Sequence, residues 1–109
     1  MFKEVLDVVQ AVEPWPGVHV TPRHDGLSLT LGGGALGYLR WNGQIELPFG
    51  PDVRDRLVAE RLASRDPDHP DTDRVVIAIR TAADVDRALW LLRLAYLLSD
   101  SAHPPAGCA

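Results

Sequence analysis

Arg23, His24 and Arg40, with Asp25 and Tyr38 close to them, are the residues whose types could do chemistry in this sequence. Guanidinium and imidazole groups gathered at one end of a sheet would bind an anionic group through charge-assisted hydrogen bonds. The plainer alternative is that they are exposed strand and turn residues, since the sequence names no partner that would orient them. Tyr38 and Trp41 add a second idea. If they met Trp90 beneath the last helix, they would line an apolar pocket of the kind that holds small molecules. Core packing of the same rings is the alternative. The ligand-binding candidates are therefore Arg23, His24, Tyr38, Arg40 and Trp41.

Other patterns carry less. Gly32, Gly34 and Gly37 satisfy G-x-G-x-x-G, but a dinucleotide site needs those glycines to open a helix. Here they precede Tyr38-Leu39-Arg40-Trp41 and an Asn42-Gly43 turn, which reads as strand and hairpin. Asp66, Asp68, Asp71 and Asp73, with His69, suggest a cation loop, yet the segment lacks the glycine and terminal glutamate of a calcium loop. It reads as a solvated acidic loop. Ser28, Ser64, Ser99 and Ser101 have no nucleophile-elbow context. No catalytic constellation, metal-ligand set or cofactor motif is read from the sequence.

The elements that must position these residues follow from hydrophobic period. Phe2, Val5, Leu6, Val9 and Val12 recur at helical spacing, and Pro14 and Pro16 end that helix. From Gly17 to Phe49 the period changes to two, with Asp25-Gly26 and Asn42-Gly43 supplying hairpin turns. This predicts four short antiparallel strands in a meander. Pro51 opens a helix running to about Ala63, residues 64–73 form a loop, and Val75 to Ile79 is a fifth strand. Thr81 with Asp84 approximates a capping box for the last helix. The domain is expected over residues 1–100, with a fraying tail over 101–109.

That last helix is apolar on two sides. Val85, Ala88, Leu89, Leu92, Ala95 and Tyr96 share one face, and Trp90, Leu94, Leu97 and Leu98 lie roughly opposite. The second side is expected either to be covered by the N-terminal helix or to form a seam with a second copy or a protein partner. Trp90, Leu94 and Leu97 are the interface candidates.

A net charge of −4 argues against sequence-independent binding of nucleic acid. No apolar run is long enough to span a membrane. Lys3, Glu4 and Asp7 interrupt any signal-peptide core, and Cys108 has no internal partner, so the cytoplasm is the expected compartment.

Several segments together resemble a known bacterial family. They are Arg23-His24-Asp25-Gly26, Leu31-Gly32-Gly33, Leu36-Gly37-Tyr38-Leu39, Ile45-Glu46-Leu47-Pro48-Phe49, Val53-Arg54-Asp55-Arg56-Leu57-Val58 and the helix from Asp84 to Tyr96. The resemblance, spanning about Trp15 to Leu97, is to the luciferase domain family, short proteins sharing a domain with fungal luciferase. The fungal enzyme oxidises a hispidin-type luciferin with molecular oxygen. Members often carry G-H-x-H where this chain has Gly37-Tyr38-Leu39-Arg40, so both histidines are replaced. Many also have histidines and a tryptophan around the segment 66–74, where this chain keeps only His69.

The sequence thus predicts an α+β two-layer sandwich. It has an antiparallel sheet of about five strands and three helices, in the order α-β-β-β-β-α-β-α, with the helices mainly on one face. The expected function is binding of a small molecule or a protein partner. The alternatives are a cofactor-independent, oxygenase-like enzyme acting on an aromatic small molecule, and nucleic-acid binding through the sheet.

Overall fold

The computed structural model describes residues 2–67 and 73–102. Its elements are α1 (Phe2–Val12), β1 (Val18–Arg23), β2 (Gly26–Leu31), β3 (Gly34–Arg40), β4 (Gln44–Pro48), α2 (Pro51–Ala59), β5 (Ser64–Arg65), β6 (Arg74–Ala78) and α3 (Ala82–Ala102). The six strands form one antiparallel sheet in the order β1-β2-β3-β4-β6-β5. The α+β class and element order are as predicted, with one strand more. The extra strand, β5, is two residues long: Ser64 faces Val76 and Arg65 faces Val75. Two residues show no period, so only pairing with β6 reveals them. That pairing also draws the following Asp66 inward, where it is buried, not solvated as expected. Of the acidic loop, Asp68, His69 and Asp71 lie outside the described residues.

Alternation along the strands decides which side faces the helices. Leu27, Leu29, Leu39, Ile45, Leu47, Val75 and Ile77 point inward and join Val5, Val8, Val12, Leu57, Ala88, Leu91 and Leu92 in one core. A register shift at Leu29/Thr30 inserts one extra residue in β3, so Leu36 and Gly37 are both buried. At Gly37 a methyl group would stand 3.2 Å from both Leu47 Cδ2 and Leu92 Cδ2. The glycine therefore marks where α3 lies closest to the sheet. Gly32 and Gly33 have φ of +59° and +88° and form the two-residue β2–β3 turn. This geometry ends the dinucleotide reading, because no helix follows them.

The helix ends are built as their residues require. The Asp84 carboxylate accepts the N–H groups of Arg80 and Thr81 at 2.9 and 3.1 Å, and Thr81 Oγ1 accepts Asp84 N–H at 3.2 Å. The capping box is formed as the sequence indicated. Helix α2 stops at Ala59, four residues earlier than expected. Arg61 N–H bonds to Val58 O and Leu62 N–H to Leu57 O, a Schellman closure with Arg61 at the left-handed position, φ +60°. A side chain there costs about 1 kcal/mol relative to glycine. Helix α3 continues through Ala102, past the expected end of the domain at 100.

Trp15 folds back onto the edge of the core, its ring edge-on to Tyr96 at 5.4 Å, while the Tyr96 hydroxyl donates to Pro16 O at 2.8 Å. Helix α1 packs beside α3, yet Trp90, Leu97 and Leu98 stay 54, 48 and 42% exposed. Covering of the second face by α1 therefore does not occur. The valines of α1 are buried in the core beside α3, and its own Leu6 faces out.

Candidate functional site

The face of the sheet away from the helices carries the polar residues. Ser28, Tyr38, Glu46 and Val76 are direct cross-strand neighbours, so their side chains form one row on that face. Arg40 lies two residues beyond Tyr38 and shares its side. The β1–β2 turn, His24-Asp25, curls over one end of the row. Together these elements border a cleft of about 470 Å³, with Arg23, His24 and Arg74 at its margin.

A continuous chain of charge-assisted bonds runs along the cleft. The Tyr38 hydroxyl donates to Asp25 Oδ1. Arg40 donates from Nη1 to Asp25 Oδ2 at 2.7 Å and from Nε to Glu46 Oε2 at 2.5 Å. Arg74 Nη1 donates to the other Glu46 oxygen at 3.3 Å. The Arg40 guanidinium also lies over the Tyr38 ring, 5.4 Å from its centre. The Glu46 side chain is only 7% exposed, so a carboxylate in that position needs both arginines. Arg23 has no ion-pair partner among the described residues and leaves its donors to the cleft.

The same bonds set the acidity of the site. The Tyr38 hydroxyl, then His24 and Arg40, hold the Asp25 carboxyl below its ordinary 3.8 against the opposing effect of burial. The Asp25 carboxylate, with burial, pushes the Tyr38 phenol above its ordinary 10.0. Asp25 stays ionised and Tyr38 stays protonated across the neutral range. The consequences for stability have opposite signs. A depressed carboxyl stabilises the fold above its unfolded pKa and loses that contribution as pH falls through the folded value. A raised phenol stabilises below its unfolded pKa and loses that contribution as pH rises through the folded one. Melting temperature against pH should therefore fall in acid and again in strong alkali. Asp25→Asn should flatten both limbs, and unchanged limbs would show that the pair does not couple to folding.

Four of the five sequence-derived candidates converge here: Arg23, His24, Tyr38 and Arg40 all border the cleft. Trp41 does not. One step beyond Arg40, its side chain turns to the opposite side and packs half-buried on the core, while its N–H donates to Asp25 O at 3.0 Å. Tyr38 and Trp90 are likewise separated by the sheet and α3, so no shared aromatic pocket forms. The residues the sequence reading missed as part of the site are Glu46 and Arg74. A charged residue alternating with Ile45 and Leu47 was the available signal for Glu46. Arg74 had none, because its place beside Glu46 depends on β6 pairing with β4.

The interface candidates separate. Trp90 and Leu94 border a groove of about 470 Å³ between α3 and α2, whereas Leu97 lies outside it. The basic residues form no continuous track, since Arg40 and Arg74 are paired with acids and Arg80 lines a different cleft. Among the described residues, no group of three or more His, Cys, Asp or Glu side chains could hold a metal ion, and no helix is long and apolar enough to cross a membrane.

Fold and cleft together define a two-layer α+β domain with a charged cleft on the open face of its sheet. The family model described as Luciferase domain matches residues 33–95, more than half of the 109, and the chain belongs to that family. The matched span contains Tyr38, Arg40, Glu46 and Arg74 but begins after the Arg23–Asp25 turn. Neither the curated proteins nor the solved structures include a significant match to the chain. The two positions where family members often carry histidine, here Tyr38 and Arg40, share one side of β3 and face the cleft together.

Proposed function

We propose that this chain is a binding member of the luciferase domain family that takes a small anionic aromatic molecule in the Tyr38–Arg40 cleft. The observation that carries this reading is the bond network from Tyr38 through Asp25, Arg40 and Glu46 to Arg74. It fixes the floor of the cleft and leaves Arg23 at the margin with unused donors. An acidic group would meet Arg23 and His24, and a flat ring would lie against Tyr38 and Pro48. Binding is favoured over oxygenase-like chemistry by the acidity of the two groups nearest the ring. General acid–base work needs a group that exchanges its proton near the operating pH. Asp25 and Tyr38 are both shifted away from that range.

A thermal-shift series with hydroxybenzoates against the corresponding neutral benzamides tests the reading. A carboxylate at a hundred times its Kd should add about 2.7 kcal/mol, raising Tm by about 10 °C or more. Arg23→Gln should remove most of the shift. No shift with any carboxylate would count against a cleft ligand of this class.

A second reading, a protein partner on α3, is favoured by the exposure of Trp90 beside the α2–α3 groove. Native mass would register it as a species above 11.9 kDa that Trp90→Ser returns to that mass.

A further inference from the structure

A second cleft, of about 610 Å³, lies elsewhere, between the C-terminal end of α2, the β5 edge and the N-terminal end of α3. Four arginines line it: Arg61, Arg65, Arg80 and Arg87. Arg65 is paired with Asp55 at 3.0 Å. Among the described residues, Arg61, Arg80 and Arg87 have no carboxylate within ion-pair distance. The one acid in the lining is Asp84, and its carboxylate is already held by the N–H groups of Arg80 and Thr81 at the start of α3. With Arg65 neutralised by Asp55, three guanidinium groups against the one carboxylate of Asp84 leave the cleft cationic in a chain whose net charge is −4.

Arg61 strengthens the case from a different direction. It occupies the left-handed closing position of α2, φ +60°, where glycine would sit without strain. A strained residue whose side chain lines a cleft beside three like charges is held there at a cost in stability. Mutual repulsion among the four is a second cost of the same sign. The repulsion is relieved when a multiply charged anion binds, whereas the backbone strain at Arg61 is a standing cost.

We propose that this cleft is a binding site for a phosphate-bearing ligand. Forked guanidinium donors match tetrahedral oxyanions two bonds at a time, and a surplus of two positive charges suits a polyanion better than a single carboxylate. The helix N-terminus contributes little, since Asp84 already caps it. The site is independent of the Tyr38–Arg40 cleft, with which it shares no lining residue.

Inorganic pyrophosphate, titrated into the full chain by calorimetry at constant ionic strength, is the test. Saturable binding with one site is expected. Arg80→Gln and Arg87→Gln should each weaken it by about tenfold, the usual worth of one charge-assisted contact. Arg23→Gln should leave it unchanged. Arg61→Gly should weaken it while raising Tm by about 3 °C, because relief of the left-handed strain exceeds the added freedom of the unfolded chain. That opposite movement of affinity and stability cannot come from a damaged fold. The proposal is overturned by absent saturation below about 10 mM, a millimolar Kd being already the weak limit of specific recognition. It is equally overturned if Arg23→Gln abolishes the binding while Arg80→Gln and Arg87→Gln do not.

Discussion

Leu92→Ala will cost about 3 kcal/mol and lower Tm by about 15 °C. Leu92 is fully buried, and its Cδ2 lies 3.2 Å from where a side chain on Gly37 would begin. Truncation removes contact area and leaves a cavity at the closest approach of α3 to the sheet, where both partners are rigid and collapse is difficult. Gly37 tells whether this account is right. Gly37→Ala alone inserts a methyl group against the ends of Leu47 and Leu92 and should cost about 1 kcal/mol through overpacking. In the Leu92→Ala background that methyl group enters vacated space. The double variant should then be more stable than the sum of the two by about 1 kcal/mol. Chemical denaturation of the four proteins measures the coupling. Strict additivity would mean that α3 does not meet β3 at this point, and the layer arrangement would have to be redrawn.

The second large effect is electrostatic. Arg40→Met should cost about 2 kcal/mol, whereas Glu46→Gln should cost less than about 1 kcal/mol. The asymmetry follows from burial. The Glu46 side chain is 7% exposed and Arg40 is 38% exposed. Removing the arginine strands a buried carboxylate, with only Arg74 at 3.3 Å to hold it. Removing the negative charge leaves Arg40 still bonded to Asp25 at 2.7 Å and still touching water. The full penalty of a broken buried pair would be larger, but Arg74 and the solvent around Arg40 moderate it. Equal costs for the two variants, read from urea midpoints, would mean that Glu46 is not shielded as the structure places it. Arg40→Met should also abolish ligand binding in the same cleft, since the floor between Asp25 and Glu46 is then unbraced.

The two effects meet in one strand. In Gly37-Tyr38-Leu39-Arg40 the inward positions dock α3 and the outward positions build the cleft. A one-residue change of register in β3 would exchange the two sets, placing Tyr38 and Arg40 in the core. The extra residue opposite Leu29/Thr30 and the Gly32-Gly33 turn fix that register.

Local chemistry alone was enough to read the periodic elements. The alternation from Val18 to Phe49, the prolines closing α1, Pro51 opening α2 and the Thr81–Asp84 cap all act within a few residues of themselves, so the chain declares them without its fold. Arg23, His24, Tyr38 and Arg40 could be brought near one another for the same reason, because hairpins joined by short turns leave little freedom. Everything resting on distant pairing was decided by tertiary structure. Strand β5 exists only because β6 runs beside it. Glu46 is buried only because Arg40 and Arg74 arrive from two neighbouring strands. Trp41 leaves the cleft because the pleat turns it away. The exposure of Trp90 and Leu97 follows from where α1 comes to rest, and the four-arginine cleft from two helix ends meeting at a sheet edge. Spacing along a chain encodes which side of an element a residue occupies; only packing encodes what that side will face.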